Sequence, residues 1–140
     1  MRLTKQQREE LRGRFGGRCA YCGEPLGDKW HADHLEAVFR DTLMEVRNKR
    51  LLFRSGAPTR LDLDNIANLM PACPPCNIDK STYKLEDWRA KLSRSCAVLM
   101  RNQPTYRHAV RFGLVAETGA TVQFYFERAA AQGDGDGRAH

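Results

Sequence analysis

Leu11 and Phe15 stand four apart in an otherwise polar run from Lys5 to Phe15, and Thr4 precedes Gln7 by three residues in the form of a capping box. The pattern predicts a first helix, stopped by Gly16-Gly17. Residues 29–36, with Trp30 and Ala32 among polar neighbours and loops on both sides, predict a short strand. From 41 to 53, Leu43, Val46, Arg47, Arg50 and Leu51 separate partly by face at helical spacing, which predicts a helix broken by Ser55-Gly56-Ala57-Pro58. A second strand is expected at Asn68-Leu69-Met70. After Asn77 a long helix is expected, because Leu85, Trp88, Leu92, Cys96 and Leu99 recur at three- and four-residue steps; Pro104 ends it. Cys96 on that stripe reads as a small buried core residue. A short helix over 105–112 and a hairpin around Thr118-Gly119 follow, the latter from the alternation of Val122, Phe124 and Phe126 with polar or amphipathic partners.

At 140 residues the chain has the size of one domain, placed at 1–128, and the glycine-rich polar end, 129–140, is expected to be a disordered tail. With 41% hydrophobic and 29% charged residues the composition is globular, which excludes a coiled coil or a collagen. No window holds eighteen apolar residues in succession, and the opening MRLTKQQREE lacks the apolar stretch of a signal peptide. The expectation is a cytoplasmic protein with no membrane partner.

The formal charge of +6 directs attention to an anionic partner, and its distribution sharpens the point. Arg40, Arg47, Lys49, Arg50, Arg54 and Arg60 face only Asp41 and Glu45 between 37 and 60, so this segment carries a net +4. It is the expected DNA-binding element. Four of the five cysteines form two knuckles, Cys19-Ala-Tyr-Cys22 and Cys73-Pro-Pro-Cys76. Two C-x-x-C pairs supply the four thiolates of a structural zinc site; the rival, a redox dithiol, lacks the βαβ pattern it would need.

Fifty residues separate Cys22 from Cys73, and the insert holds His31, Asp33, His34 and Asn68, with Asn77-Ile-Asp79-Lys80 directly after the last cysteine. At these residues, WHADHLEA and then NIANLMPACPPCNIDKS, the chain resembles the zinc-stabilised branch of the HNH endonucleases (His-Me finger nucleases) over about residues 15–92. The resemblance implies an α+β protein with a ββα-metal core, clamped by a four-cysteine zinc site and flanked by helices and a C-terminal hairpin. It implies His34 as general base, Asp33 and Asn77 as ligands of a catalytic Mg²⁺ or Mn²⁺, Asn68 as the amide that ties the loop between the strands, and Lys80 as the helix lysine of the site, with direct phosphate contact one possibility. Glu36 and Ala37 stand where many members carry a proline, and the 37–64 insert is longer than in compact members.

The chemistry agrees with those residue types. An imidazole of ordinary pKa near 6.5 takes a proton from water at neutral pH, and carboxylate and amide oxygens suit a hard octahedral ion. Asn77 at the opening of its helix would also present backbone N–H groups to a phosphate. His31 reads as an ordinary strand residue. The activity implied is metal-dependent DNA endonuclease or nickase; a non-catalytic zinc module that binds DNA or a protein partner is the alternative.

Overall fold

The computed structural model describes residues 2–38, 40–58 and 61–131. Helix α1 (Lys5–Gly13) opens on Thr4, whose hydroxyl accepts from the Gln7 amide at 3.1 Å while the Thr4 amide donates to the Gln7 side chain at 3.0 Å. The capping box of the sequence is present. The helix ends at Gly13, ahead of Phe15, and the chain turns through Gly16 and Gly17, both at positive φ. Two short strands, β1 (His31–His34) and β4 (Leu69–Ala72), pair antiparallel with Asp33 opposite Met70 and His34 opposite Leu69. Helix α1 packs on β4, and α2 (Pro74–Lys80) packs on β1. The result is a mixed α+β fold with small sheets.

The helix expected over 41–53 is replaced by a second antiparallel pair, β2 (Arg40–Arg47) and β3 (Arg50–Pro58). The residues carry two periods at once. Met44 and Val46 alternate against Glu45 and Arg47, and Asn48-Lys49 adopt φ of 52° and 62°, the two left-handed positions that a tight hairpin turn requires. Cross-strand pairing puts Met44, Val46, Leu51 and Phe53 on one face, all exposed, with Arg47 and Arg50 paired on the other. The ribbon thus gathers Glu45, Arg47 and Arg50 on one face, with Leu52 among them, and leaves the other face apolar at Met44, Val46, Leu51 and Phe53.

The long helix after Asn77 is three helices, α2, α3 (Leu85–Ser93) and α4 (Ser95–Asn102), followed by α5 (Pro104–Arg111). Ser81 interrupts the run at φ 48°, and Arg94 breaks it again. Leu85, Trp88 and Leu92 keep the stripe against the core, whereas beyond Arg94 it turns outward, leaving Cys96 and Leu99 exposed. Cys96 is therefore a surface thiol, contrary to its expected burial.

Among the described residues the hairpin expected around Thr118-Gly119 does not form. Residues 115–124 have no regular secondary structure and 125–131 are helical (α6). The alternating aromatics pack on the first knuckle: Phe124 stacks on Trp88 with ring centres 5.0 Å apart, and the amides of Tyr125 and Phe126 donate to the carbonyls of Tyr21 and Ala20. Backbone donors that a hairpin would have used find the knuckle instead. Leu11, Tyr21, Leu26, Trp30, Leu69, Trp88 and Phe124 make the centre of the core. Among the described residues no helix is long and apolar enough to cross a membrane. The expected disordered tail falls on 132–140, outside the described residues, except for 129–131, which belong to α6.

Candidate active site and metal centre

The first knuckle is a tight turn. The Cys19 amide donates to Glu24 O at 2.8 Å and the Gly23 amide to Cys19 O at 3.0 Å, so Cys19 and Cys22 face one way. Gly23 has φ 80°, and a Cβ there would lie 2.9 Å from the Tyr125 ring, so the position requires glycine on both counts. The second knuckle begins α2: Cys73 caps it, Pro74 occupies its first turn and Cys76 follows. The four sulfurs lie within 4.8 Å of one another, with Cys22 and Cys73 at 3.8 Å. For a tetrahedral ion at the usual Zn–S length of about 2.3 Å, sulfurs stand about 3.8 Å apart. The donor set and its spacing fit zinc.

Their protonation reflects this crowding. A hydrogen bond with Cys76 holds the Cys19 thiol down to about 4, and the same contact pushes Cys76 up; burial pushes Cys22 up to about 11. A dication among the sulfurs would replace the protons that such close thiols otherwise keep.

Asp33 and His34, adjacent on β1, point to opposite sides of the strand. Asp33 is buried, and its Oδ2 accepts from the Tyr21 hydroxyl at 2.6 Å and from the Lys80 ammonium at 3.0 Å. Burial and the Asp33 charge push the Tyr21 phenol far above its ordinary range, so it remains a donor. Lys80 is fully buried and also donates to His34 O at 2.8 Å. A direct phosphate contact, one of the readings for this residue, is closed to an ammonium held there.

On the other side of β1, His34 Nε2 lies 3.0 Å from Asp64 Oδ1, with the two side chains 32% and 18% exposed. The contact with His34 holds the Asp64 carboxyl below its usual range. His34 and Asp64 open onto a cleft of about 490 Å³ with Arg2, Arg8 and His31 in its walls. Asp64 was not singled out by the sequence. It stands thirty residues from His34 in a segment that reads as loop, and no spacing rule joins them.

Asn68 fastens the chain between the two. Its Oδ1 accepts from the Glu36 amide at 2.9 Å, its Nδ2 donates to Glu36 O and Leu63 O at 2.8 Å each, and its carbonyl accepts from the Leu35 amide. The segments leaving β1 and entering β4 are thereby joined beside His34 and Asp64. Asn77 lies one turn inside α2, half-buried, with its amide donating to Cys73 O. It does not open the helix, so its own N–H is unavailable to a phosphate.

The expected DNA-binding residues divide. Arg47, Lys49 and Arg50 are exposed at the tip of the β2–β3 ribbon, Arg47 within 3.1 Å of Glu45. Arg40 and Arg54 are ribbon residues by their backbone, and Arg60 lies outside the described residues.

The chain is 26% identical over 87 residues to YoqL, a SPbeta prophage-derived protein of Bacillus subtilis (strain 168) whose name assigns it, by inference, to the HNH endonucleases. The match covers 61% of this chain and 33% of that protein, so the chain spans about a third of the length of the curated relative. No family model matches the chain, and no solved structure matches it.

Proposed function

We propose that this chain is a metal-dependent DNA endonuclease, a nickase at its simplest, in which His34 is the general base. The observation that carries the reading is the His34–Asp64 hydrogen bond at the mouth of a cleft walled by Arg2 and Arg8. A carboxylate that accepts from Nε2–H leaves the lone pair on Nδ1, the nitrogen that takes the proton of the attacking water. The antiparallel β1–β4 pair leading into α2, with the four cysteines at its base, supports a ββα-metal core. The YoqL similarity agrees in family.

Asp33 and Asn77 are the proposed ligands of the catalytic ion; neither lines the His34–Asp64 cleft, so the scissile phosphate would sit at the end of β1, where His34 is the last strand residue and the two faces meet. Asp33 uses one carboxylate oxygen on Tyr21 and Lys80 and keeps Oδ1 for a ligand, and the strand that bears it packs on the helix that bears Asn77. Two protein oxygens with several waters suit Mg²⁺ or Mn²⁺. When bound, such an ion neutralises charge on the phosphoryl oxygens and stabilises the departing 3′ oxygen. Lys80 is a positioning residue: it holds Asp33 by charge and His34 by its carbonyl. Asn68 keeps the two strand exits joined, and Arg40, Arg47, Lys49, Arg50, Arg54 and Arg60 bind DNA phosphates from the ribbon. The zinc at Cys19, Cys22, Cys73 and Cys76 is coordinatively full and serves the fold.

Supercoiled plasmid incubated with the purified chain tests the proposal. Conversion to the open-circular or linear form with Mg²⁺ or Mn²⁺, lost with a chelator that leaves zinc in place and lost in His34→Ala, is the expected result. A folded, zinc-loaded chain that binds DNA without cutting it under any divalent ion would instead be a binding module.

A further inference from the structure

We propose that the DNA strand passing through the His34 cleft continues along α1, where Lys5, Arg8 and Arg12 take successive phosphates. The proposal rests on the nuclease reading and extends it to a surface outside both the motif and the basic ribbon.

Two clefts meet on this side of the molecule. The one that holds His34 and Asp64 shares Arg8 and Trp30 with a second, of about 640 Å³, lined by Lys5, Glu9, Arg12, Gly13, Gly16 and Gly17. Lys5, Arg8, Glu9 and Arg12 recur at helical spacing, so one face of α1 forms the wall. At the end of the helix the lining runs into glycines: a Cβ at Gly13 or Gly16 would meet nothing within 4 Å, so backbone alone faces the opening there. Together the clefts carry Arg2, Lys5, Arg8 and Arg12 against Glu9 and Asp64. The surplus is positive, and it begins at the candidate catalytic histidine.

The two inner arginines are already oriented. Arg8 donates to Trp30 O at 2.8 Å with its guanidinium 4.0 Å over the Trp30 ring, and Arg12 donates to Leu26 O at 2.9 Å. A guanidinium has five N–H donors, so one bond to a carbonyl fixes its plane and leaves donors for a phosphate. Pre-set donors along a groove that leads from a catalytic site are what a phosphodiester backbone needs, since phosphate contacts fix position and base contacts fix sequence.

Binding is measured in the His34→Ala background to prevent cleavage, at several salt concentrations, with zinc content and melting temperature recorded for each variant. Lys5→Gln, Arg8→Gln and Arg12→Gln together should flatten the log-log salt slope by up to about 2.7, at about 0.9 per phosphate contact. Arg94→Gln, Arg101→Gln and Arg111→Gln remove the same charge from residues outside the clefts and should leave the slope near that of the parent. Because Arg8 also holds Trp30, the exposed Lys5→Gln alone decides the matter if the triple variant fails to fold; its slope should fall by up to about 0.9. Equal effects from the α1 and control sets, or an unchanged slope in Lys5→Gln, would overturn the α1 track and leave the nuclease reading standing. A His34→Ala protein that folds with zinc and binds no DNA at all would remove both.

Discussion

Lys80 and Asp33 form an ion pair at 3.0 Å in which the lysine side chain is fully buried and the aspartate side chain 10% exposed. Tyr21 completes it from the first knuckle, so one carboxylate joins β1, α2 and the turn that carries Cys19 and Cys22. Removing one partner of such a pair strands a charge in the interior. Lys80→Met should therefore destabilise the fold by about 3 to 5 kcal/mol, and Lys80→Met with Asp33→Asn by less. Thermal or urea unfolding of the two variants checks this; equal loss in both would mean the cost is packing alone.

His34→Ala should slow plasmid cleavage by about 10² to 10⁴-fold while zinc content and DNA affinity remain near wild type. Asp64→Ala should slow it less, by about 10 to 100-fold, the usual cost of losing a group that orients a functional histidine. Initial nicking rates at saturating DNA give both values. A normal rate in Asp64→Ala would assign the carboxylate no part in orienting the ring.

Metal analysis of the purified chain should find about one zinc per molecule. Cys19→Ser and Cys76→Ser should lower the folded fraction, because the affinity of such a site, about 10 to 16 kcal/mol in small zinc domains, is coupled to folding. Circular dichroism with and without a strong zinc chelator reads the effect, and a chain that stays folded and active without zinc would contradict it.

Acid should loosen the C-terminal segment through Glu127. Arg89 bonds Glu127 at 2.8 Å and also Val122 O, holding the segment around Phe124, and it keeps the Glu127 carboxyl below its ordinary range. A carboxyl depressed in the folded state contributes stability above its unfolded pKa of about 4.3, and that contribution is lost as pH falls through the lower folded value. Glu127→Gln should be less stable than wild type at pH 7 and converge with it toward pH 3. Melting curves across that range test the convergence.

The β2–β3 ribbon should bind DNA by charge. Changing Arg47, Lys49 and Arg50 to Gln in the His34→Ala background should flatten the salt slope by up to about 2.7 and weaken all sequences alike. An unchanged slope would make the tip a solvated surface only.

The sequence by itself determined what neighbouring residues settle between them. Thr4 and Gln7 cap α1 from three residues apart, and each C-x-x-C pair places two sulfurs on one side of a turn whatever lies beyond it. β1 around Asp33-His34 and β4 after Asn68 were likewise legible, being short and bounded by loops. Between 41 and 53 local pattern was insufficient: Leu43, Val46, Arg50 and Leu51 satisfy a helical period and Met44, Val46, Leu51 and Phe53 a strand period, and the cross-strand register settled it. Only the tertiary structure turned Phe124 and Phe126 onto Trp88 and Tyr21, set Asp64 against His34 and enclosed Lys80 with Asp33. Those partners lie up to more than a hundred residues apart, and burial and charge pairing act through distance in space, which the spacing of residues along the chain does not record.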